Sequence, residues 1–218
     1  MTTTVYFDLD GTLIDYTTPF TELFAQTVPT DASEEMANTY FEQVLSGITQ
    51  VEEDPYRRAF EIVRQEYDLD VNPEAIAATY IEKEATATHI RPSVRQLVER
   101  VATRCQTGIL TNGDGRMQRR KLEKHGLADL VDTVIVSNEV GSRKPEQDIF
   151  EEAKKRLPAE TFIYVGDTFE EDIVPALEVG FRTVYVGEEY QPDAPIAARG
   201  TEELARLLLP LIREDTVK

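Results

Sequence analysis

One cysteine, two histidines and no tryptophan occur among the 218 residues of this chain. The lone Cys105 excludes an internal disulfide and any cysteine-based metal cluster, and its place in an apolar stretch fits a small buried side chain. With thiols and imidazoles so few, no ligand set suits zinc. His89 and His125 stand apart, and His125 falls in the last turn of a predicted helix, where a capping role is expected. Lysine is also scarce, at seven residues, and 23 basic side chains face 41 acidic ones for a net charge of −18. A field of that sign repels nucleic acid and anionic membranes. The acids are spread along the chain, and an acidic, lysine-poor surface resembles that of proteins working at high internal salt, where screening tempers self-repulsion. The most apolar late segment, 204–212, is too short to span a bilayer and is broken by Arg206 and Pro210. The first strand-like run is preceded by Met1 and three threonines, without a basic, apolar leader, so a cytoplasmic protein is expected.

What remains is ample for a packed core: 41% of the residues are hydrophobic. The chain is organised around residues 5–13, which open with the strand formers Val5, Tyr6 and Phe7 and end in Asp8, Leu9, Asp10 and Gly11. Strand alternation would put Asp8 and Asp10 on one side, where two like charges need a cation or a shared proton between them. Gly11 would let the backbone turn sharply beside the pair.

Residues 16–90 then read as helices. Segment 18–28 carries Phe20, Leu23 and Phe24 at helical spacing, and 31–45 begins with an Asp31…Glu34 capping-box pattern and sets Met36, Tyr40, Phe41, Val44 and Leu45 on one face. Pro55 opens a third helix, and Asn72-Pro73 is an N-cap followed by proline in the first turn of a fourth. From residue 91 strands and helices alternate. Helices are predicted at 92–104, 115–124 (closed by Gly126), 145–157, 173–179 and 201–212, with strands at 107–110, 131–136, 161–165 and 181–186. Such alternation implies right-handed βαβ units and a doubly wound parallel sheet. The expected architecture is an α/β core from residues 1–15 and 91–218, interrupted by a helical insert over 16–90.

Ligands of such sheets bind beyond the carboxyl ends of the strands, and the polar residues gather there. The predicted strand ends supply Asp8 and Asp10, Thr111 and Asn112, and Gly166-Asp167; Lys144 precedes Pro145, and Asp172 follows Asp167 at a spacing of five. Carboxylates, one lysine and small hydroxyl and amide groups suit a magnesium-assisted reaction on a phosphate, since Mg²⁺ takes few carboxylates and shares oxygens with its substrate.

These residues, in this order, resemble the haloacid dehalogenase superfamily, phosphohydrolase branch. Its DxDGT motif is read in Asp8-Leu9-Asp10-Gly11-Thr12, its strand-end Thr or Ser in Thr111, its lysine in Lys144, and its GDxxxxD motif in Gly166-Asp167 through Asp172. The helical insert after the first motif resembles the family's C1 cap. The resemblance implies a Rossmann-like core, Asp8 as nucleophile forming an aspartyl-phosphate, and Asp10 as general acid and base. It also implies Mg²⁺ held by Asp8, the Asp10 carbonyl, Asp167 and Asp172, with Thr111, Asn112 and Lys144 on the phosphoryl group.

Three other readings stand beside it. A 2-haloacid dehalogenase shares fold and nucleophile but lacks the acid two residues on, present here as Asp10. A phospho-accepting receiver module uses a similar residue set, without a helical insert. A binding protein could keep the site without turnover. The substrate expected is a small phosphorylated metabolite such as a nucleotide, phosphoglycolate or a sugar phosphate. Tyr16, Phe20, Phe24, Arg57 and Arg58 are the insert residues placed to meet it, with core packing expected of the aromatics and solvation of the arginines. Monomer and homodimer are not distinguished.

Overall fold

The computed structural model describes residues 2–187 and 191–212. Its elements are, in chain order, β1 (Thr3–Phe7), β2 (Asp15–Tyr16), α1 (Phe20–Ala25), α2 (Glu34–Thr49), α3 (Pro55–Glu66), α4 (Pro73–Thr86), β3 (Thr88–His89), α5 (Pro92–Ala102), β4 (Gln106–Thr111) and α6 (Gly115–His125). There follow β5 (Thr133–Val136), α7 (Ser137–Val140), α8 (Gln147–Arg156), β6 (Thr161–Gly166), α9 (Val174–Glu178), β7 (Arg182–Val186), β8 (Ala197–Ala198) and α10 (Thr201–Leu208). Six strands form one parallel sheet in the order β5-β4-β1-β6-β7-β8. β1 lies in the middle because every one of its residues is buried and can be covered from both faces.

Alternation along the strands divides the core into two layers. Val5, Phe7, Ile109, Ile163 and Val165 pack with Val94, Leu97, Val98 and Val101 of α5 and Leu204 and Leu208 of α10. Tyr6, Leu110, Ile135 and Tyr164 pack with Ile149, Phe150 and Ala153 of α8 and with Phe181. The chain leaves β1 toward β4 and β5 and returns to the other side of β1 as β6. The strand order therefore reverses beside β1, the place where open α/β sheets bind ligands.

Helices α1–α4 lie between β1 and β4 in sequence and make a core of their own, in which Phe24, Tyr40, Phe60 and Tyr80 stack and cross at centroid distances of 4.3 to 6.1 Å. Met117 of α6 joins that cluster, so insert and sheet layer are packed together. Entry and exit of the insert are tied by β2 and β3, an antiparallel pair with Asp15 opposite His89 and Tyr16 opposite Thr88. Such two-residue strands offer no alternation to read in sequence.

Several local expectations are corrected. Helix α2 is capped by Ser33, whose side chain accepts from the Met36 N–H, so Asp31 lies outside the helix. Leu45, expected on the buried face, is 64% exposed. β5 is an edge strand, half-buried at Thr133 and Val134 and buried only at Ile135 and Val136. Pro145 follows a cis peptide bond after Lys144, and α8 starts at Gln147 instead. A π-turn at Phe169–Ile173 precedes α9, with Pro175 in its first turn. α10 ends at Leu208 in a 3-10 turn, and β8 lies between β7 and α10, where no strand was expected. Cys105 is half-buried, not buried.

Candidate active site

β1 ends at Phe7, so Asp8 and Asp10 sit in the turn beyond it and strand alternation no longer governs them. That turn is closed by the N–H groups of Leu13 and Ile14 on the Leu9 carbonyl. Contrary to a shared site between the two acids, they enter separate networks.

The first network surrounds Asp8. Lys144 Nζ donates to Asp8 Oδ1 at 2.7 Å, to Asp172 Oδ1, and to the Tyr164 hydroxyl at 3.0 Å, and the lysine is 3% exposed. Tyr164 in turn donates to the Leu110 carbonyl at 2.9 Å. Asp172 is fixed by the Thr168 N–H on its Oδ2, and Asp167 by the Thr12 hydroxyl on its Oδ1. Oxygens of Asp8, Asp167 and Asp172 lie within 4.8 Å of one another. Two glycines make this crowding possible. A Cβ at Gly11, where φ is +80°, would come within 2.3 Å of the Asp167 carboxylate, and one at Gly166 within 2.5 Å of that of Asp172.

Burial raises Asp8 well above the ordinary carboxylate range; Lys144 pulls it down, while Asp172 and Asp167 push it up. Burial likewise raises Asp167, against the Thr12 hydrogen bond. For Lys144 burial acts downward, but Asp172 and Asp8 together outweigh it and hold the ammonium well above its usual range. Two buried carboxylates paired with one lysine, and a half-buried third beside them, leave negative charge unbalanced. An all-oxygen, carboxylate-rich set of this kind fits a hard divalent cation such as Mg²⁺.

The second network surrounds Asp10. Its Oδ1 accepts from the Tyr16 hydroxyl at 2.9 Å and from Lys121 Nζ at 3.0 Å, and its Oδ2 from Gln118 Nε2 at 2.7 Å. Lys121 is 2% exposed and also lies 3.4 Å from Glu84 of α4. Burial alone would raise Asp10, but Lys121, Gln118 and Tyr16 outweigh it and hold the carboxyl below its ordinary range. Lys121 stays charged for the same reason, since Asp10 and Glu84 offset its burial.

Thr111 and Asn112 lie at the end of β4. The Thr111 hydroxyl accepts from Gln118 Nε2 at 2.9 Å, which links it to Asp10. Asn112 uses its amide on the backbone of Lys144, accepting from its N–H at 2.9 Å and donating to its carbonyl at 3.0 Å, and it also donates to Glu171. Through these bonds Asn112 positions the Lys144 loop. Lys121, Gln118 and Glu84 escape sequence reading. Lys121 falls in the run Arg119, Arg120, Lys121 and Lys124, which reads as a solvated face. The available signal was spacing: Met117, Gln118, Lys121 and Leu122 occupy one buried stripe of α6.

Between the sheet and the insert lies a cavity of about 470 Å³ that reaches Asp10 and is lined largely by apolar residues of α1 and α2. Tyr16 and Phe20 line it, whereas Phe24 is core of the insert. Arg57 pairs with Asp54 and Glu74, and Arg58 with Glu52, outside the cavity. His89 is exposed, and His125 Nε2 pairs with the Thr88 hydroxyl while Gly126 closes α6.

Residues 5–186 match the family model described as haloacid dehalogenase-like hydrolase. Over 83% of its length the chain is 31% identical to the glyceraldehyde 3-phosphate phosphatase of Pyrococcus furiosus, covering 79% of that protein. It is 28% identical to the ribulose-1,5-bisphosphate 5-phosphatase of Halopiger xanaduensis, with 91% and 90% of the two chains covered. Among solved structures it resembles the HAD phosphatase from Thermococcus onnurineus at a TM-score of 0.64 and 26% identity, with 95% and 98% covered.

Proposed function

The chain belongs to the haloacid dehalogenase-like hydrolase family, and on that premise we propose that it is a magnesium-dependent phosphatase that hydrolyses small phosphate monoesters through an aspartyl-phosphate on Asp8. The observation that carries this reading is the pair of separate networks. Asp8 lies beside Lys144, Asp167 and Asp172, and Asp10 stands apart with its own proton-handling partners.

An Asp8 oxygen attacks phosphorus as the ester P–O bond breaks, and Asp10, acting in its protonated form, gives the departing oxygen its proton, releasing the alcohol. Water then attacks phosphorus and Asp10 takes up its proton; the Asp8–phosphorus bond breaks and inorganic phosphate leaves. Lys144 neutralises and orients the phosphoryl oxygens next to the nucleophile, Asn112 holds the Lys144 loop, and Thr111, at the end of β4, adds a hydroxyl to the same group. Asp8, Asp167 and Asp172, with the Asp10 carbonyl, would hold Mg²⁺, which when bound supplies positive charge against carboxylate and phosphate alike. The insert, taken as residues 16–90, serves as the lid over the leaving group.

Asp10 is also the residue that favours ester hydrolysis over dehalogenation. An alkoxide needs a proton as it departs, whereas a halide leaves as a stable anion. Relatives named for glyceraldehyde 3-phosphate and ribulose bisphosphate agree with a small phosphorylated metabolite as substrate. The test is hydrolysis of p-nitrophenyl phosphate with Mg²⁺ or with EDTA, for the wild type and for Asp8→Asn. Activity is expected only in the Mg²⁺-loaded wild type; turnover in EDTA, an active Asp8→Asn, or chloride release from 2-chloropropionate would overturn the assignment.

A further inference from the structure

Building on the phosphatase reading, we infer that the leaving-group subsite takes an uncharged alcohol bearing a flat ring with a polar edge, and rejects leaving groups that carry a second anion. The cavity at Asp10 has a wall formed by Phe20, Phe41, Val44, Leu45 and Ile48. Phe20 is 42% and Leu45 64% exposed, an unusual amount of open apolar surface to leave beside a polar centre. A short polyol would bury little of it.

Charge excludes the other large class of phosphate esters. The acids facing the cavity are Asp10, Glu84 and Asp114. Its one cation among the described residues, Lys121, is buried and already held by Asp10 and Glu84. A second phosphate or a carboxylate placed there would meet like charge without a free partner, an arrangement that desolvation makes strongly unfavourable. Arg57 and Arg58 lie outside the cavity and pair with their own carboxylates.

Two buried polar atoms on residues that line the cavity are left without a partner among the described residues. The Tyr40 hydroxyl, on a fully buried residue, and Oε1 of Gln118, 2% exposed, make no hydrogen bond among the described residues, and both residues line the cavity. Gln118 spends its amide N–H groups on Asp10, Thr111 and Asn112, so its oxygen is free to accept. Buried polar atoms of this kind are normally satisfied. A ring with a polar edge offers the kind of partner that such atoms lack, and an apolar ring face would cover the Phe20–Leu45 wall. A cavity of about 470 Å³ has room for a ring and the carbons that join it to the phosphate.

The test separates binding from turnover. Asp8→Asn with Mg²⁺ is titrated calorimetrically with uridine 5′-monophosphate, benzyl phosphate, glycerol 3-phosphate and 3-phosphoglycerate, and wild-type kcat/KM is measured on the same four esters. Uridine 5′-monophosphate and benzyl phosphate are expected to bind about tenfold or more tightly than glycerol 3-phosphate, the discrimination an apolar pocket can give. The heterocycle should lead and 3-phosphoglycerate should come last. Leu45→Asp, at an exposed position, should lower the benzyl-to-glycerol ratio by about tenfold. Glycerol 3-phosphate or 3-phosphoglycerate binding as tightly as the ring esters, or a ratio that Leu45→Asp does not move, overturns the subsite. Hydrolysis of the panel without ring preference would leave the phosphatase reading standing. Ring-selective binding without hydrolysis of any ester would support the subsite and overturn the phosphatase reading.

Discussion

Lys121 shows how a single side chain can hold the site's charge balance without touching the nucleophile. It is buried between Asp10 and Glu84, and Glu84 is itself raised by burial, with Lys121 pulling it down and Asp10 pushing it up. Replacing Lys121 with Met removes the cation and leaves the buried Glu84 facing the half-buried Asp10. Breaking a buried pair from one side costs about 3–5 kcal/mol. The sign of the pH dependence follows from linkage. An acid whose folded pKa is raised costs stability once pH climbs above its unfolded pKa, and that cost is lifted when pH falls. Removing Lys121 enlarges the cost, while the lysine's own charge is constant over the range concerned. The deficit of Lys121→Met relative to wild type should therefore be largest near pH 8 and shrink toward pH 5, read as Tm or as urea-unfolding free energy. Adding Glu84→Gln should recover part of it in a double-mutant cycle. A deficit independent of pH would mean that Lys121 contributes by packing alone.

At the scale of elements, the decisive feature is how the insert is fastened to the sheet. β2 and β3 cross at its neck, and Lys124, near the end of α6, donates to the carbonyls of Ala85 and Thr88 at 3.1 and 2.7 Å and to that of Thr86. One exposed lysine of α6 thus binds the open carbonyl end of α4, as charge and helix dipole both favour. Lys124→Met is expected to cost about 1–2 kcal/mol, the worth of hydrogen bonds to a charged donor. It should also speed amide exchange in the last turn of α4 while leaving β1 and β4 protected. Uniform acceleration throughout the chain would show that the contact is global and not a fastening. Sequence revealed α4 itself through its Asn72 cap and Pro73, and β1, β4 and β6 through apolar runs that end in polar residues. It could not reveal the fastening, because two-residue strands have no period and Lys124 sits in a basic run that reads as solvent-facing. The site divides in the same way. Asp8, Asp167, Asp172 and Lys144 were legible as residue types near strand ends, whereas two partners of Asp10, Gln118 and Lys121, come from α6, distant in sequence and joined only by packing. Asn112 was legible at the end of β4, whereas its hold on the Lys144 backbone, 32 residues on, was not.

Across the whole molecule, the scarcity of lysine takes on a structural meaning. Of the seven, Lys121 and Lys144 are buried in the site, while Lys83, Lys124 and Lys154 each donate to a backbone carbonyl. The outer surface is left to arginines, each commonly paired with acids as Arg116 is with Asp54 and Glu74 or Arg120 with Glu82, and to a large excess of carboxylates. Salt acts on this surface in two opposed ways. It weakens the exposed arginine pairs, but each of these is worth only about 0–1 kcal/mol. It also screens repulsion among the charges that make up the net −18, which no pair offsets and which extends over the whole surface. The Debye length falls from roughly 10 Å at 0.1 M to roughly 3 Å at 1 M, less than the spacing of most surface charges, so the repulsive contribution shrinks faster than the contact pairs do. Raising KCl from dilute buffer to molar concentration should therefore increase Tm. The gain should be steepest at the low end, where the screening length changes most, and smaller at pH 5 than at pH 8, because some carboxylates are then neutral. A Tm that stays flat or falls with KCl would show that the paired arginines, and not the unpaired acids, dominate the electrostatics of this fold.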